Sequence, residues 1–193
     1  MAEAVARVPG SWRVIRGPMQ RFFAGAAPGW DERVQPDGEE HLAALWDAVD
    51  QLDEPPRRIL DVGTGTGAAA LWLATRFEDA DVLGVDISSA MIERAQAKDA
   101  PRVRFEVADT RGAAAQGPFD LVVHLNCPVL FDGVAAALAE RGTVLVVASG
   151  GASTPFYTSH DALRRGFRRV GLDVVGEGRA GAGTWLAARR GTA

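Results

Sequence analysis

The run Ile59-Leu60-Asp61-Val62-Gly63-Thr64-Gly65-Thr66-Gly67 joins a short apolar segment to three glycines at alternate positions. Ala68-Ala69-Ala70-Leu71-Trp72-Leu73-Ala74 follows at once and is built from helix-forming residues. A buried strand that enters a helix through a glycine-rich turn lets the backbone bend sharply and lets a ligand approach it without an intervening Cβ. The helix start beyond such a turn favours anionic groups. The next β-rich run, Val82-Leu83-Gly84-Val85, ends in Asp86, where a carboxylate can accept hydrogen bonds from both ribose hydroxyls. Together these features predict a site for a nucleoside-containing ligand.

Working outward, apolar runs at 58–62, 82–87, 102–107, 119–125 and 143–149 alternate with segments long enough for crossover helices. That alternation predicts an open, mostly parallel α/β sheet. Phe119-Asp120-Leu121-Val122-Val123 and Thr143-Val144-Leu145-Val146-Val147 are nearly continuous, as expected of central strands covered on both faces. After a helix near Ser159–Arg169, Leu172–Gly176 and Thr184–Arg189 lie too close to enclose another helix, so they predict a β-hairpin. Arg164, Arg165, Arg168 and Arg169 on that helix read as a solvated face.

Upstream the character changes. Six of the ten prolines precede Arg57, and none falls between Arg57 and Ala100. The boundary predicts an N-terminal lid or helical extension, 1–56, and a core, 57–193, within one compact domain. Glu39 to Leu52 carries Leu42, Leu45, Trp46 and Val49 at helical spacing, with Asp37 as its cap. Ser11 to Gln35 mixes Trp12, Phe22, Phe23 and Trp30 with Gly and Pro, which predicts a stretch too broken for a long helix that lies across the core.

Composition narrows the classes. A chain of 193 residues with 47% hydrophobic content can bury about 70% of its unfolded surface in one core. A formal charge of -4 argues against partners held chiefly by phosphates, nonspecific nucleic acid above all. The lone Cys127 excludes an intramolecular disulfide and suits a reducing cytoplasm. No signal-peptide pattern follows the early arginines, and 18 consecutive apolar residues occur nowhere, so a soluble, cytoplasmic protein without membrane association is expected. His41, His124 and His160 are scattered, which leaves no metal-ligand spacing.

Gly63-x-Gly65-x-x-Ala68 also satisfies a relaxed dinucleotide fingerprint, so the surrounding residues decide. Leu60 to Gly67, Asp86 after the second strand and Val107-Ala108-Asp109 after the third resemble the successive motifs of class I S-adenosylmethionine-dependent methyltransferases. The resemblance spans about residues 57–190. It implies a seven-stranded sheet of order 3-2-1-4-5-7-6 with strand 7 antiparallel, helices on both faces, and the cofactor S-adenosylmethionine over strands 1 and 4. By the same resemblance Gly63, Thr64 and Gly65 hold the methionine moiety, Asp61 its ammonium and Asp86 the ribose. Ala108 and Asp109 contact adenine, against which Ile87 and Met91 pack. Trp30-Asp31-Glu32-Arg33 resembles the aromatic-acidic stretch whose ring closes over the cofactor in many small-molecule members.

The acceptor side carries weaker signals. His124, at the end of the fourth strand, is the first candidate for a general base, with a structural histidine as the competing reading. Tyr157 and His160, in the loop after the fifth strand, are candidates to line the substrate pocket. Asn126 sits in His124-Leu125-Asn126-Cys127-Pro128-Val129, which only faintly resembles the Asn-Pro-Pro-Tyr motif of some amino-methyltransferases; otherwise it caps a turn. Around Cys127 the sequence shows no basic constellation that would lower its pKa, so a nucleophilic role is not expected. The expected reaction is methyl transfer to an O, N or C atom of a small molecule. A non-catalytic S-adenosylmethionine-binding homologue and a nicotinamide-dependent reductase remain the alternatives.

Overall fold

The computed structural model describes residues 1–98 and 100–191. At its centre β1 (Arg58–Val62) runs parallel between β2 (Asp81–Asp86) and β4 (Phe119–Leu125), with Leu60 level with Leu83 on one side and Val122 on the other. β3 (Val103–Val107) extends the sheet beyond β2, and β5 (Leu138–Ala148) beyond β4. β6 (Leu172–Ala180) and β7 (Gly183–Arg190) form the closing hairpin, and β7 inserts antiparallel between β5 and β6. The order is β3-β2-β1-β4-β5-β7-β6, as the sequence predicts.

Period-two alternation splits the strand side chains between two cores. Ile59, Val82, Leu121, Leu145 and Trp185 face α4 (Glu39–Val49), α5 (Ala68–Arg76) and α6 (Ser89–Gln96). Leu60, Leu83, Val122, Val144 and Leu186 face α7 (Thr110–Ala113), α8 (Phe131–Ala137) and α9 (His160–Arg169). Covering both faces is what makes the central strands read as unbroken apolar runs. On the second face Phe131 meets Phe167 edge-on at 5.0 Å. Within β5, pairing with β4 is irregular between Leu138 and Thr143, so the strand starts earlier than its apolar run indicates.

The N-terminal segment departs most from expectation. Ala2–Arg7 forms α1, Trp12–Ala26 forms α2 and Trp30–Val34 forms α3. α2 is the longest helix although Gly17 and Pro18 lie inside it. Pro18 has no N–H to bond the Val14 carbonyl and its ring crowds that carbonyl, so the helix carries a local defect on its exposed side. Trp12, Ile15, Met19 and Phe23 share one face, and packing of that face outweighs the poor local propensity. α4 ends three residues before Leu52, and its N-cap is Gly38; no side chain caps it, Asp37 included. Leu42, Leu45, Ala48 and Val49 bury α4 in the first core, so this part of 1–56 is a layer of the sheet, whereas α2 and α3 lie over the strand ends.

Among the described residues no helix is long and apolar enough to cross a membrane. No cluster of three or more His, Cys, Asp or Glu suited to a metal ion occurs among them either.

Candidate active site

A cavity of about 320 Å³ lies across the carboxyl ends of five parallel strands, roofed by α2 and α3. Its floor follows the sheet order. Ala108 and Asp109 come after β3, Asp86 and Ile87 from the end of β2, and Asp61, Gly63, Thr64 and Gly65 from β1 and its turn. Beyond them Asn126 and Cys127 follow β4, and Ser149 follows β5.

The turn after β1 depends on its glycines. Gly63, Gly65 and Gly67 have φ of 69°, 55° and 90°, a region other residues rarely adopt. A Cβ on Gly63 would also lie 2.6 Å from that of Cys127, so the two loops touch backbone to side chain.

Asp61 is 1% exposed, and its Oδ2 accepts the Thr64 hydroxyl at 2.6 Å. Burial pushes its pKa up to about 7 against the Thr64 hydrogen bond, and the neighbouring Asp86 charge adds to the rise. Asp86 accepts the Ser88 N–H at 2.8 Å and the Gly65 N–H at 3.0 Å. Burial raises its pKa as well, opposed by those backbone donors. Asp109 caps α7 by accepting the Gly112 N–H at 3.1 Å, while its second oxygen accepts the Trp12 indole N–H at 3.0 Å. No lysine or arginine lines the cavity among the described residues.

The roof is aromatic. Phe23 of α2 packs edge-on against Trp30 of α3 and also meets Phe156, each at 5.7 Å between ring centres. Asp31, next to Trp30, accepts the Thr66 hydroxyl of the glycine turn and pairs with Lys98 Nζ at 3.0 Å. The roof is thereby latched to the loop it covers.

At the other end, Asn126 adopts φ 52°, its N–H bonded to the Val147 carbonyl at 2.9 Å. Its Oδ1 accepts the Ser149 N–H at 3.0 Å, and its Nδ2 donates to Ser149 Oγ at 2.7 Å. The same Nδ2 lies 3.4 Å from Nε2 of His41, which α4 presents to the cavity. Burial lowers the His41 pKa.

A methyltransferase-domain family model matches residues 59–151, the stretch from β1 to just past β5. This stretch is a methyltransferase domain, and the fold is that of the class I S-adenosylmethionine-dependent methyltransferases. The chain is 30% identical over 159 residues to the trans-aconitate 2-methyltransferase of Streptomyces avermitilis, covering 72% of this chain and 56% of that protein. It is 38% identical over 141 residues to the release factor glutamine methyltransferase of Chlorobaculum tepidum, covering 63% and 46%. The chain spans from about a quarter to just over half the length of the curated relatives it matches. Its fold is similar to that of the 1,6-didemethyltoxoflavin-N1-methyltransferase of Burkholderia thailandensis, solved with that substrate and S-adenosylhomocysteine. The TM-score is 0.68 at 15% identity, covering 89% of this chain and 87% of that one.

The cavity gathers Trp30, Asp61, Gly63, Thr64, Gly65, Asp86, Ile87, Met91, Ala108 and Asp109, the residues the family motifs single out, and Asn126 with them. Three acceptor candidates lie elsewhere. His124 shares the parity of Val122, so it points toward the α7–α9 face, while Leu125, next in the strand, lines the cavity. It is fully buried with Nδ1 3.4 Å from Cys127 Sγ and Nε2 without a partner, and burial lowers its pKa to about 4. His160, at the start of α9, bonds Glu177 at 2.7 Å, and neither it nor Tyr157 lines the cavity. Cys127 does line it, but its thiol donates to the Val62 carbonyl at 3.0 Å, and burial raises its pKa well above the usual range, so no thiolate nucleophile is set up.

Sequence reasoning passes over His41, Ser149, Trp12 and Phe156. Two of these had a usable signal: Ser149 ends a strand run as Asp86 does, and Trp12 shares helical spacing with Met19 and Phe23.

Proposed function

We propose that this chain transfers the methyl group of S-adenosylmethionine to a small-molecule acceptor. The observation that carries the reading is a cavity with three carboxylates, Asp61, Asp86 and Asp109, and no lysine or arginine among its described lining residues. Asp61 and Asp86 are buried with no cation beside them, which is costly, so the site favours a ligand that brings positive charge. S-adenosylmethionine carries an ammonium and a sulfonium, and its adenosine offers the hydroxyls and amine that carboxylates accept. A nicotinamide dinucleotide would bring a pyrophosphate into the same acidic space, which disfavours the reductase reading.

Asp61 and the turn Gly63–Gly65 would hold the methionine end, Asp86 the ribose, and Asp109 with Ala108, Ile87 and Met91 the adenine. When bound, the cofactor supplies an activated methyl group on a positively charged sulfur. Holding the two reactants in alignment accounts for much of the rate in such a displacement. The roof of α2 and α3, with Trp30 at its centre, excludes water where the sulfonium charge is lost. We assign residues 12–36 as this lid, with α4 part of the core. A closed roof and a net charge of -4 favour a small acceptor over tRNA or protein. The lone thiol suits a reducing cytoplasm.

Titration calorimetry with S-adenosylhomocysteine tests the cofactor assignment, with NADH and NADPH as controls. Micromolar binding to the homocysteine product alone is expected; binding of NADH in its place would overturn the reading. Acceptor turnover in that complex separates an enzyme from a non-catalytic binder.

A further inference from the structure

The cavity is chemically divided along the sheet, and the division names a class of acceptor. Over β1, β2 and β3 every titratable lining group is an aspartate. Over β4 and β5 the polar groups are Asn126, Cys127, Ser149, Thr154 and His41, and none carries a permanent charge. Val34, Pro36 and Phe156 also line the cavity and are apolar or aromatic, as is the Trp30–Phe23 roof on which Phe156 packs.

Resting on the methyltransferase reading, we infer that the acceptor is an uncharged, planar aromatic molecule bearing an O–H or N–H, seated over β4 and β5, and that His41 takes its proton. An anionic acceptor would find no lysine or arginine among the described lining residues to pair with, a desolvation cost that a neutral ring avoids. Flat rings suit a slot between Phe156, Pro36 and an aromatic roof. The polar groups fix orientation. Ser149 Oγ accepts from Asn126, which leaves its own hydroxyl hydrogen free to donate into the cavity.

His41 is set up as a proton acceptor by its neighbours. Ser149 N–H orients the Asn126 amide through Oδ1, which turns the Nδ2 hydrogens toward Ser149 Oγ and His41 Nε2. A donor facing Nε2 keeps a lone pair there, so the imidazole is neutral, and burial favours the same form. At 3.4 Å the Asn126 contact is long, and an acceptor hydroxyl competes for the lone pair with ease. In the step assigned to His41, the acceptor O–H or N–H bond breaks. Its electron pair stays on the oxygen or nitrogen, the proton passes to the imidazole, and His41 later releases it to water. The carboxylates do not fill this role, because Asp61, Asp86 and Asp109 stand at the ends of β1, β2 and β3.

The test uses 7-hydroxycoumarin, a neutral phenol whose absorbance reports its own ionisation, against its 3-carboxylate, both titrated into the S-adenosylhomocysteine complex. At least tenfold tighter binding of the uncharged probe is expected. At neutral pH the bound phenol should stay un-ionised with the red-shifted absorbance of a hydroxyl that donates a hydrogen bond to imidazole, a shift that shrinks in His41→Gln and in His41→Asn. Unchanged S-adenosylhomocysteine affinity in both variants confirms that they fold. Equal or tighter binding of the carboxylate, no binding of the phenol, or an absorbance shift indifferent to both substitutions would overturn the proposal. These outcomes all require the cofactor product to bind first. Its failure to bind would overturn the methyltransferase reading itself, a result distinct from failure of the acceptor arm alone.

Discussion

The two halves of the cavity are built on the same sheet edge yet solve different electrostatic problems. Over β1–β3, Asp61 and Asp86 are buried together and each has its pKa raised by burial, so the half is strained until a cation arrives. Over β4 and β5, the Asn126–Ser149–His41 set exchanges hydrogen bonds among neutral groups and holds no buried charge that waits for a ligand. Recognition in the first half is by charge, which is strong and general. Recognition in the second is by shape and hydrogen-bond direction, which discriminates between similar molecules. A family that keeps one cofactor and changes acceptors has reason to divide its site this way.

The largest test of that contrast is Asp61→Asn. The Asp61 carboxyl titrates at about 7 in the folded protein against 3.8 for an unperturbed aspartate. Between those values the folded state keeps a proton that the unfolded chain has released, so ligand-free stability falls as pH rises from about 4 to about 7. Thermal or urea melts at pH 5 and pH 8 should show this slope in the native chain and a shallower one in Asp61→Asn, where the raised pKa of Asp86 still contributes. The variant should be more stable at pH 8 by on the order of 3 kcal/mol. The same substitution should weaken S-adenosylhomocysteine binding at least tenfold. A variant no more stable than the native chain at pH 8 would break the claim that this half is strained.

Asp86→Ala comes next. It leaves the N–H groups of Gly65 and Ser88 without their acceptor and removes the assigned ribose contact. About 1–3 kcal/mol of binding should be lost, a ten- to hundredfold rise in the calorimetric dissociation constant. Thr66→Val cuts the hydroxyl bond to Asp31 and unlatches the roof. The expected cost is about 1 kcal/mol, read as a several-fold weaker cofactor-product affinity and a blunted tryptophan fluorescence change on binding. An unchanged response would confine that bond to surface packing. Ser149→Ala closes the series. Its effect on S-adenosylhomocysteine affinity should stay within about twofold, since a lone polar contact in the neutral half lies outside the charged one. A larger loss would show that the halves act as one.

Much of this was legible in the chain because the relevant signals are local. A buried strand running into Gly63-Thr64-Gly65 and aspartates at strand ends are set by backbone geometry over a few residues, and the half proposed for the cofactor is built on them. The neutral half depends on which way a side chain points, and one residue decides it. His124 and Leu125 are neighbours in β4, but alternation sends Leu125 to the cavity and His124 to the opposite core. His41 carries no motif at all; it reaches the site because α4 packs across β5 and β7. α2 shows the converse, a helix hidden by Gly17 and Pro18 whose apolar face becomes meaningful only with a cavity beneath it.

The pairing of early with late residues sets the order in which this molecule is made. Asp47 of α4 accepts the indole N–H of Trp185 in β7 at 2.6 Å, across 138 residues of chain. Glu3 of α1 accepts the N–H of Ser159, the cap of α9, at 2.8 Å, 156 residues apart. Two early segments, α1 and α4, therefore wait for partners from the late part of the chain. Until β7 is synthesised, Leu42 and Leu45 have only part of their core, and the nascent chain is left with exposed apolar helix faces. Assembly of the acceptor end, with His41 brought against Asn126 by α4, is accordingly a closing event of folding, and a chain interrupted before Trp185 would lack it.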